Sequence, residues 1–445
     1  MIRLSDHFTF KKLLKFVMPS IAMMIFTSAY VVVDGIFISN FVGKSAFAAV
    51  NLISPFLMAL GSIGFMLGAG GSAIVSKTMG EGKREKANEY FSFLIVTTVI
   101  AGIVFAILGV ILIDRVAAIL GAKGENEYLK SYCVTYGRIN LFALPFFMLQ
   151  NVFQMFFTTS EKPVLGFSIT VTAGVTNIIL DALFMSVFKL GVTGAATATA
   201  ISQAVGGSIP IIYFIRKNSS AMRLVPTRFN GKVLLSSCAN GSSELMSHVS
   251  ASVVSILYNG QLLKLAGENG VSAYGVIMYV NFIFISIFIG YSIGVAPIAG
   301  FNYGSKNSAE LKNIFKKSLF FVGVVGLLML TVSELSASLI AGLFAKDNIE
   351  LKEMTVVALR MFSINFVICG FNIFGSAFFT ALGNGIISAI ISFLRTLVFQ
   401  ISAVFILPLF LGLNGIWISI VVAEILSLTV TMSFFITKRK KYNYA

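Results

Sequence analysis

Four polar side chains set in otherwise apolar stretches define the chemistry this chain could perform. Asp34 lies in Tyr30-Val31-Val32-Val33-Asp34-Gly35-Ile36-Phe37, Asn177 and Asp181 follow four residues apart, and Thr199 closes Gly194-Ala195-Ala196-Thr197-Ala198-Thr199. A charged side chain at lipid depth costs roughly 2.5 to 3.5 kcal/mol on insertion scales, so it normally faces a cavity or a partner. Two carboxylates, an amide and a hydroxyl offer hard oxygen ligands able to hold a proton or a sodium ion. Two carboxyls close together repel when both are ionised, so one retains a proton, as a proton carrier requires. The residues alone leave the ion open between H+ and Na+.

The spacing supports a shared site. Four residues put Asn177 and Asp181 on one helix face. Counted from the outer ends of their spans, Asp34 and Asp181 sit about seven residues before the end and Thr199 about seven after, so all three lie roughly 10 Å deep. The alternative is that each Asp is satisfied separately, by vestibule water or backbone donors.

Further polar candidates lie in the second half. Glu244, within Gly241-Ser242-Ser243-Glu244-Leu245-Met246-Ser247-His248, and Glu424 would neutralise a cationic substrate or take a second proton. For Glu244 the competing expectation is a structural hydrogen bond to the neighbouring serines; His248, alone on an apolar helix, is expected to pack. Asp34, Met155, Glu244, Asn259 and Asn372 form the expected substrate-binding set. The 43 Phe and 17 Met are mostly packing side chains, but those lining a cleft would give a polarisable wall that attracts flat organic cations.

The elements that must position these residues are membrane helices. With 445 residues, 57% hydrophobic and 11% charged, the chain has too few charges to coat a water-soluble globule of its size. Its apolar material falls into helix-length blocks, which is the form lipid permits. Twelve spans are predicted: 13–41, 46–79, 91–113, 131–157, 164–187, 191–215, 233–258, 271–303, 316–336, 354–382, 385–408 and 412–437. The expected architecture is all-α, with an N-terminal six-helix lobe at 1–215, a cytoplasmic linker at 216–232, a C-terminal six-helix lobe at 233–437 and a basic cytoplasmic tail at 438–445.

The net charge of +15 is explained by topology. With both termini in the cytoplasm, the far side carries only Lys44, Arg115, Lys123, Lys130, Lys189, Lys264, Lys346 and Lys352, as the positive-inside rule asks of a bacterial cell-membrane protein. No nucleic acid is expected as a partner. Cys133, Cys238 and Cys369 have no metal-ligand spacing and read as buried small hydrophobes.

The halves repeat. Gly70 to Phe91 reads GGSAIVSKTMGEGKREKANEYF and Gly294 to Phe315 reads GVAPIAGFNYGSKNSAELKNIF, with Gly70/Gly294, Gly80/Gly304 and Phe91/Phe315 each 224 apart. Phe156-Phe157-Thr158 recurs as Phe378-Phe379-Thr380, and Arg138 matches Arg360. Six spans per repeat make the two copies parallel, related by an axis along the membrane normal. At these offsets Asp34 falls near Asn259, Asp181 on Ser402 and Asn177 on Val398, so ion coupling is expected in the first half with the second as a moving wall.

Val33-Asp34-Gly35, the run into Met79-Gly80-Glu81-Gly82, Gly191-x-x-Gly194-Ala195-Ala196-x-Ala198-Thr199 and Ala299-Gly300-Phe301-Asn302-Tyr303-Gly304, in that order over nearly the whole chain, resemble the multidrug and toxic compound extrusion (MATE) family, most nearly its MepA-like and DinF-like bacterial branch. The resemblance implies two six-helix lobes in a V and export of amphipathic, mostly cationic drugs in exchange for H+ or Na+. It also implies a cation site at Asp34, Asn177, Asp181 and Thr199, with Glu244 similar to the seventh-helix acid of NorM-type members. The chain departs from that branch at Asn372, where an Asp would be expected. A coupling ion is the only cofactor implied; organic cations and membrane lipid are the expected partners, and a monomer the expected state.

Two other classes compete. A lipid-linked precursor flippase of the same broad superfamily would present basic residues in its cleft, whereas the intramembrane charges here are mostly acidic. A membrane enzyme is disfavoured by the presence of only His7 and His248, with no HExxH and no nucleophile motif.

Overall fold

The computed structural model describes residues 2–121, 127–344 and 348–445. Lys123 and Lys346, both assigned above to the far side, lie outside the described residues. Helices α1 (Phe10–Val42), α2 (Lys44–Gly80), α3 (Arg84–Ile119), α4 (Glu127–Thr159), α5 (Pro163–Val187) and α6 (Gly191–Ile215) form the first half. Local sequence starts several helices. Thr9 accepts from the Lys12 N–H at the head of α1, and Pro163 occupies the first turn of α5, where its missing N–H costs nothing. Residues 216–230 carry no helix; the linker lies along α3, its Arg223 and Val225 amides donating to Asn88 and Ser92.

The second half begins with one continuous helical run, Gly231–Gly304, of 74 residues. At 1.5 Å per residue this is roughly 110 Å, far more than one crossing of a bilayer core needs. Gly267, at φ 59° and ψ −150°, breaks it, a backbone conformation open to glycine and closed to other residues. The chain folds back there into α7 (231–266) and α8 (268–304). Tyr258 and Tyr274 stack across the hairpin at 5.3 Å. The predicted gap at 259–270 is therefore mostly helix. Polar residues such as Lys264 and Glu268 continue the turns past the apolar stretch, where hydropathy alone marks no helix.

Helices α9 (Ser308–Phe344), α10 (Ile349–Ser363 and Asn365–Ala381, bent by 44°), α11 (Gly385–Leu411) and α12 (Leu413–Tyr442) complete the half. Asn230, Asn348 and Asn384 cap α7, α10 and α11. Among the described residues ten helices are long and apolar enough to span a membrane, and the bent pair makes eleven. Dividing the long run at Gly267 makes twelve, and no strand is present among them.

The halves meet through α2 with α7 and α8, and through α1 with α8. At one end α2 crosses α8 backbone to backbone. A Cβ on Gly80 would lie 2.0 Å from the Phe301 carbonyl oxygen, and one on Gly304 would lie 2.1 Å from that of Lys77. Gly80 and Gly304 are 224 apart, as are Lys77 and Phe301, so the crossing is reciprocal. Arg138 and Arg360 follow the same symmetry. Arg138 pairs with Asp114 of α3 at 2.7 Å, and Arg360 with Glu334 of α9 at 3.5 Å.

The N-terminal residues form a strap beneath both halves. Leu4 and Phe8 are buried. The Leu4 N–H donates to Glu161 in the α4–α5 turn at 2.8 Å, while the Phe8 N–H and His7 Nδ1 meet the Glu310 carboxylate on α9 at 2.9 and 2.6 Å. Asn313 and Lys317 donate to the Phe8 carbonyl.

Candidate functional site

Helices α1 and α5 pack side by side, and their contact brings Asp34 and Asp181 together. The two carboxyls stand close enough to act directly on each other's charge. Neither is otherwise served: one Asp34 oxygen and both Asp181 oxygens are buried without a regular hydrogen-bond partner among the described residues. Asn177, one turn earlier on α5, is buried with its Nδ2 equally unpaired, and Asp181 has no exposed surface. Buried polar atoms left in this state cost free energy comparable to lost hydrogen bonds. An acceptor-rich set of this kind suits a proton or a small hard cation.

The backbone at both acids is irregular in the same way. The α-helical part of α1 ends at Phe37 and runs into a π-helical turn at Ile38–Val42, so Asp34 occupies the last α turn. Asp181 is the final α residue of its helix and the π turn Ala182–Val187 follows at once. π turns inside α-helices are rare and recur at functional positions.

Thr199, on α6, joins the cluster through a residue that the sequence reading passed over. Its hydroxyl donates to the Ala195 carbonyl and lies near the Tyr136 hydroxyl, and Tyr136 lies within the fields of Asp34, Asp181 and Tyr30. Tyr136 is buried, and Tyr30 stands one turn before Asp34. A signal existed for Tyr136: at the repeat offset of 222 its counterpart is Ala358, so a hydroxyl appears in one copy only.

The second half holds a different constellation. Glu424 on α12 is 1% exposed and pairs with Arg395 on α11, Nε to Oε1, at 2.6 Å. Asn372 on α10 is also buried. Its amide donates to Glu424 Oε2 at 2.6 Å and to the Glu424 carbonyl at 3.0 Å, and its oxygen accepts from Thr431 at 2.8 Å. Asn372 is therefore a buried strut, with its polar atoms turned to Glu424 and Thr431. Arg395 lies in the π turn Leu394–Phe399.

Glu244, half-buried on α7, lies in the field of the same Arg395. The neighbouring serines do not hold it: Ser242 and Ser247 donate to the Ala239 and Ser243 carbonyls, and Ser243 Oγ is buried without a partner. Met155 is buried between the halves with Met23, Met24 and Ile293. Asn259 is half-buried on α7, away from the Asp34 cluster in sequence and helix. His248 stacks on Phe65 of α2 at 4.6 Å.

Comparison with known proteins agrees with this architecture. The MatE family profile matches residues 19–183 and 245–406. The multidrug export protein MepA of Staphylococcus haemolyticus is 26% identical over 416 residues, covering 93% of this chain and 90% of that protein. MepA of Staphylococcus aureus strain MRSA252 is 26% identical over 426 residues, covering 93% and 91%. A crystal structure of a MATE protein in complex with MaL6 superposes with a TM-score of 0.93 at 24% identity, covering 99% of this chain and 98% of that one. A MATE transporter in an outward-facing conformation superposes at 0.92 over the same shares, also at 24% identity.

Proposed function

This chain belongs to the MatE family, and from that premise we propose that it is a secondary active multidrug exporter that exchanges amphipathic, mostly cationic organic compounds for H+ or Na+ by alternating access. The observation that carries the reading is the approach of Asp34 to Asp181 beside Asn177 and the Tyr136–Thr199 pair. A cation loaded between two carboxylates cancels their repulsion and favours the packing of α1 on α5. Its loss restores the repulsion and favours a conformation in which the two helices separate. Differential affinity of this kind is what lets a bound ion shift a two-state equilibrium.

The charge distribution supports a cell-membrane protein with both termini cytoplasmic. In that orientation the Gly80–Gly304 crossing and the N-terminal strap close the cytoplasmic side, and the acidic pair lies in the outer half. Substrate would be held between the halves by Glu244 and by the methionine and phenylalanine side chains, whose polarisable surfaces accept varied flat cations. The rival lipid-precursor flippase needs free basic side chains in the cleft, and the Arg395 guanidinium is already engaged by Glu424.

The test is dye efflux from vesicles energised first by a proton gradient alone and then by a sodium gradient alone. One of the two should drive export of a monocationic dye. Movement of a polyprenyl-pyrophosphate precursor without dye flux would overturn the exporter reading.

A further inference from the structure

We infer that Arg395 is a resident cation: its guanidinium takes the place in the second half that a coupling ion takes in the first, so that only the Asp34–Asp181 pair loads an ion. The inference rests on the exporter reading for its meaning, but its test reads ion binding alone.

Apart from Glu334, which is paired with Arg360 near a span end, the second half holds two intramembrane carboxylates, Glu244 and Glu424, on different helices, as the first half holds Asp34 and Asp181. The difference lies in what stands between them. Arg395 is carried by a π turn that packs against the Gly231–Gly304 hairpin, whose first arm bears Glu244, and against α12, which bears Glu424. Its Nε is fixed on Glu424 at 2.6 Å, with a side chain 14% exposed, and its charge reaches Glu244.

The oxygens that could have ligated a cation beside Glu424 are already engaged. Glu424 Oε1 accepts from Arg395, Oε2 accepts from Asn372, and Asn372 Oδ1 accepts from Thr431. One Asp34 oxygen and both Asp181 oxygens, by contrast, are buried without a regular partner. The other ionisable groups in the field of Glu424 are Tyr258, bonded to Ser419, and Cys369, whose side chain is turned to the Phe366 carbonyl. Neither is positively charged. A guanidinium stays charged at any physiological pH and cannot leave. A lobe built around one is constitutively loaded.

Sodium binding and proton uptake are measured on purified full-length protein in detergent, in an Asp34→Asn/Asp181→Asn background that silences the first-half pair. With Arg395 intact, sodium should give no saturable rise in melting temperature and a pH step no stoichiometric proton uptake. Arg395→Met should create one of these signals, with affinity about tenfold or more above that background, because a nearby unit charge is removed. Arg395→Lys, which keeps the charge, should stay silent, and adding Glu244→Gln to Arg395→Met should abolish the gain. If Arg395→Met does not fold, Arg395→Met/Glu424→Gln removes both partner charges and should still unmask Glu244. The inference is overturned if the folded Arg395-less protein gains no cation binding. It is equally overturned if the background with Arg395 intact already binds a cation that Glu244→Gln removes.

Discussion

Asp34 and Asp181 approach each other from helices that both change from α to π winding just beyond the acid. The carboxyls are thus presented where the backbone is least regular, and their charge state acts on helix ends already free of strict α register.

Replacing Asp34 with Asn keeps the shape and removes the charge. Gradient-driven efflux of an organic cation should fall to background with expression unchanged, and Asp181→Asn should do the same. Vesicle efflux rates decide it, and a wild-type rate in either variant would refute the ion-carrier role.

Tyr136→Phe deletes the hydroxyl that lies near Thr199 while leaving the ring in place. A polar contact of this kind is worth up to about 1 kcal/mol net, so the apparent affinity for the driving ion should weaken by up to about fivefold while dye binding is unchanged. The concentration dependence of efflux on H+ or Na+ reads this directly.

The acids were legible because a charge stands out in an apolar span, and the i, i+4 spacing of Asn177 and Asp181 fixes their shared face without any tertiary knowledge. Tyr136 was legible only through its mismatch with Ala358 across the repeat, since a tyrosine in a membrane helix is otherwise unremarkable until its neighbours are known. The pairing of Arg395 with Glu424 joins residues 29 apart on two helices, and no local pattern announces it. Hydropathy located twelve apolar blocks but placed a loop where α7 and α8 run on past the apolar stretch, because polar residues do not end a helix. Only the Gly267 backbone does that here.

The strap should respond to pH through two groups of opposite sign. The Lys12 ammonium hydrogen-bonded to Asp6 holds the Asp6 carboxyl below its ordinary value. That pair therefore supports the docked strap above about pH 4 and loses its contribution as pH falls through the lowered value. Burial raises Glu161, with the Leu4 N–H only partly offsetting it. Its protonated form favours docking, and that contribution declines as pH rises from the ordinary to the raised value. Glu161→Gln should remove this decline and keep the Leu4 contact. Protection factors for the Leu4 amide, measured against pH, would show a persisting decline if the assignment is wrong.

Glu310→Ala should free the other end of the strap. The Phe8 amide loses a buried carboxylate acceptor, a bond worth about 1.5–3 kcal/mol, so its hydrogen exchange should accelerate about tenfold or more. Exchange at wild-type rate would mean that Asn313 and Lys317 alone hold the segment.

Gly80→Ala and Gly304→Ala should behave alike, since each places a methyl group on the opposing backbone across the α2–α8 crossing. Overpacking of this sort costs about 1–3 kcal/mol, read as a lowered melting temperature in detergent. A large effect in one variant and none in the other would contradict the reciprocal geometry.

That reciprocity has a consequence for ancestry. Gly80 meets Phe301 while Gly304 meets Lys77, which is the pattern two identical subunits make about a two-fold axis. A seam of this form is what duplication and fusion of a self-pairing six-helix chain would leave behind.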